Sequence, residues 1–434
     1  MVINNFFQNT FTEYDSSISL SLERDPLGLQ PIWTILGNNI FNGVTTSVAT
    51  DIRNYTINLI HHIALHKLQL SSFWDNLRAN VHGATEESLE DRLLLAMEMM
   101  LAYSAVTTNW NSSGGILGIS SARKRWSESS VHNLIDLKLP PKDPIDSDYT
   151  GFVTLLVRQS GLGINGRYKG PFKKMGLTNG IKEVSRQDLN AIYDQLDDDY
   201  CKLIDCIVTF IGCSDSKDYQ LNFEKAEFLE PYKYAFDKKP AISETTKNFW
   251  LAQLRIEEGS LAKFLYEGLN DKDNLNHLAR DLFTKKSDDP KASSICSVEP
   301  FLVMLEYLFA ALLQDVNQSL INRICMHLKK LIPQIQLPEN MSPRLKQLIE
   351  LAKLSPEEVP ISLVQYHEQI SQERQIHPWV TSKSGICVFK KTKYIDGLED
   401  KLNKLDDDLL NIAWRRDYYL ASIKQIKLGF EDKS

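Results

Sequence analysis

Cysteine is scarce, and none of it is spaced for chemistry. The six residues Cys201, Cys206, Cys213, Cys296, Cys325 and Cys387 contain no C-x-x-C pair, which excludes a zinc ribbon and a disulfide framework and points to free thiols in a reducing, cytoplasmic setting. Also missing are a P-loop, a G-x-S-x-G elbow, a kinase set, H-E-x-x-H and a paired-acid motif. No nucleophile, metal ligand or cofactor can therefore be singled out, and none is expected. Long apolar runs are absent as well. The most apolar stretch, Phe301–Leu313, contains Glu306 and is shorter than the roughly 20 residues a bilayer requires, so it reads as a buried core helix with no membrane partner. The opening MVINNFFQNTFTEYDSS lacks the basic-then-apolar order of a signal peptide. An excess of positive charge is lacking too. With 49 Lys and Arg against 56 Asp and Glu, the net charge is -7, which excludes a surface that coats nucleic acid; any such contact has to be local.

What is present is helical periodicity over a chain of 434 residues, 43% hydrophobic and 24% charged, enough for two to four domains with their own cores. From Thr46 to Leu70 the spacing of Ile57, Ile60, Ile63 and Ala64 gives one buried helical face. Ser88 is placed to cap LEDRLLLAMEMMLAYSAV. Tyr200–Ile211 and nearly all of Asn248–Gln372 read as amphipathic helix, residues 214–245 as charged loop, and Trp379–Lys390 as strand with a turn at Gly385. Apolar residues then recur at Leu398, Leu402, Leu405, Leu409, Ile412, Tyr419, Ile423 and Ile426, predicting one long amphipathic helix over 396–427. The fold expected is mainly α and multi-subdomain, with a few short strands. Its expected parts are an N-terminal helical domain (1–139), a small basic subdomain (150–213) and a C-terminal helical domain (246–434), with the stiff Leu139-Pro140-Pro141-Lys142-Asp143-Pro144 as linker.

One absence is local and points at a partner. Between Thr150 and Lys182 there is no carboxylate, while Arg158, Arg167, Lys169, Lys173, Lys174 and Lys182 stand among Gly161, Gly163, Gly166 and Gly170. Positive charge beside closely approachable backbone suits phosphate. The alternatives are a plain turn between helices, and a dinucleotide fingerprint, since Gly161–Gly166 spells G-x-G-x-x-G. Pro171 disfavours the last by making a helix start there awkward. Tyr168 and Phe172 would stack on bases if the partner were single-stranded, or pack over the glycine turn if not. Arg123-Lys124-Arg125, ahead of Trp126, is a second basic cluster that would extend the first if the two shared a face, and is otherwise a solvated helix face. On the helix through residue 60, Asn58, His62, His66 and Gln69 fall opposite the apolar stripe and read as a solvent-facing polar row rather than a metal site. The aspartate runs at 197–199 and 406–408 read as turns or solvated faces.

At DPLGLQPIW, IFNGVTTSVATDIRNY and RQSGLGINGRYKGPFKKMGL the chain resembles large uncharacterised bacterial proteins encoded beside nucleases and helicases in anti-phage defence loci. That resemblance implies a subunit of a DNA-directed defence system and carries over no catalytic residue. The expectation is thus a cytoplasmic, non-catalytic subunit that docks other proteins and contacts nucleic acid, DNA ahead of RNA. Phosphate contacts fall to Arg158, Arg167, Tyr168, Lys169, Lys173, Lys174, Arg123, Lys124 and Arg125, and partner docking to Leu402, Leu405, Leu409, Ile412, Tyr419 and Ile423. An enzyme of nucleotides or phosphorylated small molecules, with a pocket beside Gly163, and a purely structural scaffold are the alternatives.

Overall fold

The computed structural model describes residues 25–80, 86–111, 114–128, 134–136, 155–156, 159–177, 192–213, 220–222, 226–237, 243–270, 274–314, 316–337, 341–382, 387–388, 395, 397–404 and 414–431. The protein is mainly α-helical. In chain order the helices are α1 (Gln30–Phe41), α2 (Ile52–Leu70), α3 (Phe73–Asn80), α4 (Glu86–Thr107), α5 (Ile119–Glu128), α6 (Gln159–Leu162), α7 (Ile164–Met175), α8 (Asp198–Gly212) and α9 (Leu229–Phe236). They continue with α10 (Glu244–Gln253), α11 (Leu261–Gly268), α12 (Leu275–Lys285), α13 (Pro290–Gln314), α14 (Gln318–Leu331), α15 (Pro343–Ala352), α16 (Glu358–Glu373), α17 (Leu398–Asn403) and α18 (Leu420–Phe430). Two antiparallel pairs complete the described residues: β1 (Leu134–Asp136) with β2 (Gln220–Asn222), and β3 (Val380–Thr381) with β4 (Cys387–Val388). The second pair is the strand signal expected after Trp379.

The chain folds as two compact units, Met1–Gly43 with Glu257–Lys424, and Val44–Ile256 with Gln425–Ser434. The boundaries expected near 139, 150, 213 and 246 are not those of the units. The second unit joins helices that the sequence-based division separates: α2 packs on α4, α7 and α8, and α4 on α5 and α9. Residues 214–245, expected as loop, include β2 and α9; Tyr232 and Phe228 of that segment are wholly buried, and their apolar rings supply the reason a helix forms there. Helix α4 begins at Glu86 rather than after a cap at Ser88. The linker 139–144 lies outside the described residues.

In the first unit α13 is the centre, packed by α1, α12, α14, α16 and α17. It is longer than Phe301–Leu313: 25 residues, passing through Pro300. By length and composition it is apolar enough to cross a membrane, yet nearly all of it is buried inside the protein, which is the core role expected of it. The entry to α1 explains DPLGLQPIW. Asp25 accepts the Leu29 and Gln30 N–H groups (2.8 and 3.1 Å) and is held by Arg374 at 3.2 Å, while Gly28 takes the left-handed conformation (φ 63°) the tight turn requires. His367 of α16 fixes the same turn. Its Nδ1–H donates to the Pro26 carbonyl (2.8 Å) and its Nε2 accepts the Trp379 N–H (2.8 Å).

The long helix expected over 396–427 is corrected. Its ends are the separate helices α17 and α18, residues 414–417 are non-helical, and Tyr418 and Tyr419 are left-handed (φ 50° and 68°). The cause is Glu299 of α13, which is fully buried. Its Oε1 accepts the Arg415 and Arg416 N–H groups (2.8 and 3.1 Å), and its Oε2 accepts Trp33 Nε1–H (2.7 Å) and the Tyr418 hydroxyl (2.6 Å). Backbone donors that would have continued a helix are instead given to a carboxylate. Arg415 also pairs with buried Glu306 at 2.7 Å, and the Arg416 guanidinium lies 4.0 Å over the Trp33 ring.

Candidate nucleic-acid interface

Residues 159–175 of the carboxylate-free stretch are mostly helix rather than a turn. The short turn α6 leads through Gly163, the N-cap, into α7, which runs through Gly166, Gly170 and Pro171 to Gly176. Gly176 is left-handed (φ 76°); its N–H donates to the Lys173 carbonyl and the Leu177 N–H to the Phe172 carbonyl, the paired bonds of a glycine-terminated helix. Pro171 is the eighth residue of α7, about two turns past the start, and costs the helix one backbone bond there.

Burial sorts the predicted residues into two faces. Ile164, Tyr168, Phe172 and Met175, at helical spacing, are buried. Tyr168 lies edge-on to Tyr55 of α2 (centroids 4.6 Å), Phe172 stacks on the same ring (6.2 Å), and the Tyr168 hydroxyl meets the backbone of Asp51 at 3.3 Å. Burial pushes the Tyr168 hydroxyl up to about 12. Tyr168 is therefore a core residue and not a base-stacking one, as is Phe172. Lys169, Lys173 and Lys174 are exposed on the opposite face. Among the described residues, none of the three pairs with a carboxylate. Arg167 is half-buried, its Nε–H donating to the Leu162 carbonyl at 2.9 Å. Arg158 lies outside the described residues.

The Asn165 amide at the start of α7 is not open to phosphate. Glycine at the N-cap has no side chain to accept it, and the buried Glu98 of α4 does so instead, taking the Asn165 N–H at 2.7 Å. A phosphate there would face that carboxylate. The polar row of α2 is not solvent-facing: Asn58 and His66 are buried, and His62 and Gln69 are half-buried. Helices α4, α7 and α8 pack around α2, which periodicity on one helix alone does not reveal. His62 Nε2–H donates to Asn165 Oδ1 (3.1 Å). His61 Nε2 is 2.9 Å from the Tyr232 hydroxyl, which donates to the Met97 carbonyl at 3.4 Å. Burial lowers His61 to about 3 and His62 to about 4, with neighbouring positive charge adding to the effect in each. Both imidazoles are neutral at physiological pH. Among the described residues there is no group of three or more His, Cys, Asp or Glu placed to hold a metal.

The second basic cluster stands on α5, which packs on α4. Arg123 and Lys124 are exposed, whereas Arg125 is hydrogen-bonded to the buried hydroxyl of Tyr103. Acidic Asp198 and Asp199 sit in the first turn of α8, where a helix dipole favours them. The docking residues on the C-terminal segment do not form a free seam. Leu402 and Ile423 are fully buried, Tyr419 is half-buried against Gly37 and Thr34, and Leu405, Leu409 and Ile412 lie outside the described residues. At the described positions, Leu402, Tyr419 and Ile423, the heptad-like spacing packs within the chain's own fold.

A half-open pocket of about 590 Å³ opens at the start of α2, lined by Asp51, Arg53, Asn111, Tyr200, Phe236 and Gln425 among others. It is not beside Gly163: no residue of α6 or α7 lines it. Arg53 in its wall is turned to the Gly114 carbonyl and lies 3.7 Å from Asp51. No protein-family model, curated protein or solved structure matches this chain.

Proposed function

We propose that this chain is a non-catalytic subunit of a multi-protein assembly and contacts nucleic-acid phosphates through the exposed face of α7. The supporting observation is that Lys169, Lys173 and Lys174 project from one face of a helix whose other face is fixed in the core by Tyr168 and Phe172. Lysines that pair with no carboxylate among the described residues, on a helix that does not have to order itself on binding, retain their attraction for an anion. Arg167 flanks them. The defence-system setting comes from the resemblance of the three segments quoted above, and the protein partners would meet surfaces other than the buried C-terminal seam. Exposed apolar side chains of the first unit, Met326, Leu337, Leu354 and Ile361, are the ones to test.

A small phosphorylated ligand is the second reading, favoured by the pocket at Arg53, whose volume suits a small molecule. Because Arg53 is already engaged by Asp51 and Gly114, phosphate would have to compete for it, and the lysine face ranks first. The deciding experiment is binding of the purified full chain to labelled DNA and RNA at two salt concentrations, beside the variant K169A/K173A/K174A. Salt-sensitive binding that the folded variant loses upholds the proposal. Binding retained in full by the variant refutes it, and a thermal shift with a nucleotide but no nucleic-acid binding favours the pocket.

A further inference from the structure

Both aromatic rings of α7 are buried, and Asn165 and Arg167 each have a polar atom already engaged; from this, resting on the phosphate-contact reading above, we infer that the ligand is duplex DNA bound through its backbone without regard to sequence. Proteins that hold single strands combine positive charge with aromatic platforms on which bases stack. The two aromatics of α7 are absent from its surface: Tyr168 is 1% exposed and Phe172 0%. Direct readout of base edges needs bidentate donors and acceptors such as Asn, Gln or Arg forks. Here the Asn165 side chain is spent on His62 and the Arg167 Nε–H on the Leu162 carbonyl.

What remains outward is Lys169, Lys173 and Lys174. These are point charges on flexible stems, suited to phosphate and poor at fixing a base. Lys169 and Lys173 are one helical turn apart, about 6 Å along the axis, with Lys174 beside them. The side of the helix, not its Glu98-capped start, is the surface that meets the backbone. A duplex offers the denser array of phosphates and asks for no stacking partner, so it gains more from such a face than a single strand does.

The test is a salt titration of the full chain with a duplex, each of its single strands, and a second duplex of unrelated sequence. For three neutralised phosphates the duplex affinity falls roughly 40-fold between 50 and 200 mM salt. Changing Lys173→Ala lowers the slope of log affinity against log salt by about 1, at unchanged thermal stability. The two duplexes differ by less than about fivefold, the smallest discrimination one bidentate base contact gives. Single strands bound as tightly as the duplex, or a larger preference between duplexes, overturn this inference and leave phosphate contact standing. If neither form binds in a salt-dependent way, or K169A/K173A/K174A binds as the parent does, phosphate contact itself fails.

Discussion

Helix α13 in the first unit and helix α2 in the second both bury ionisable side chains, and they do so in opposite ways. Glu299 on α13 meets four donors, two on each oxygen, drawn from a tryptophan, a tyrosine and two backbone amides. His62 on α2 meets one acceptor, and its Nδ1 has no hydrogen-bond partner among the described residues. An acid so surrounded ties distant segments into one place, because removing it strands every donor at once. Histidines are accommodated more cheaply, by staying uncharged. The first arrangement determines where the chain goes; the second determines at what pH the packing holds.

The largest expected effect removes the segment that Glu299 organises. Deleting residues 394–434 takes away the buried Leu402, Tyr418, Leu420, Ile423 and Ile426, and the product should lose cooperative thermal unfolding; a soluble, cooperatively melting fragment would show that the segment is an appendage. Next is Glu299→Ala. With four donors left buried, chemical denaturation should report a loss of about 3 to 5 kcal/mol, and a loss below about 1 kcal/mol would mean the donors find other partners.

The two helices should also respond to pH with opposite sign. The folded pKa values of His61 and His62 are depressed to about 3 and about 4, so the unfolded chain binds more protons below 6.5, and their contribution, complete above 6.5, drains away as pH falls. Each histidine costs about 1.4 kcal/mol per pH unit in that window. Burial raises Glu299 above its ordinary 4.5; the folded state then holds its proton longer, so its contribution is complete below 4.5 and lost as pH rises through the raised value. Urea midpoints against pH for the parent, His62→Asn and Glu299→Gln should show the two slopes, the histidine variant flattening the acid limb. Smallest of all is Tyr168→Phe, which loses the hydroxyl contacts with Asp51 and Asn54 and should cost about 1 kcal/mol while leaving the proposed DNA binding unchanged. Weakened binding in that variant would put Tyr168 on the interface after all.

Much of the fold was legible because buried helical faces repeat in the sequence. Ile57, Ile60, Ile63 and Ala64 announce α2, and the apolar density of 301–313 announces the core helix. Missed were features decided by partners far along the chain. The polar side of α2 reads as a solvent face until α4, α7 and α8 close over it, and nothing local to Asn58 or His62 reports them. The spacing from Leu398 to Ile426 is a sound helical pattern, yet Glu299, more than a hundred residues earlier, captures Arg415 and Arg416 and ends it. At the candidate interface the absence of carboxylates suggested a basic surface beside a glycine turn, whereas the described part exposes Lys169, Lys173 and Lys174 on a helix. Glycine lowers helix propensity by only about 1 kcal/mol, and the anchoring rings of Tyr168 and Phe172 outweigh it. The basic residues of α7 were named from sequence; Glu98, which caps it, carried no signal, since its role exists only once α4 and α7 meet.

Both units draw on the same late stretch of chain. Leu402 and Tyr418 fall in the first, Ile426 and Gly429 in the second, and the division lies within α18. During synthesis neither core can therefore close until residues 398–430 have left the ribosome, however early the other helices form. Helices that emerge hundreds of residues beforehand must wait with apolar surface uncovered, which is the state that chaperones recognise. A single segment thus sets the moment at which two folding events can finish, and a ribosome stalled before it would leave both units unfinished together.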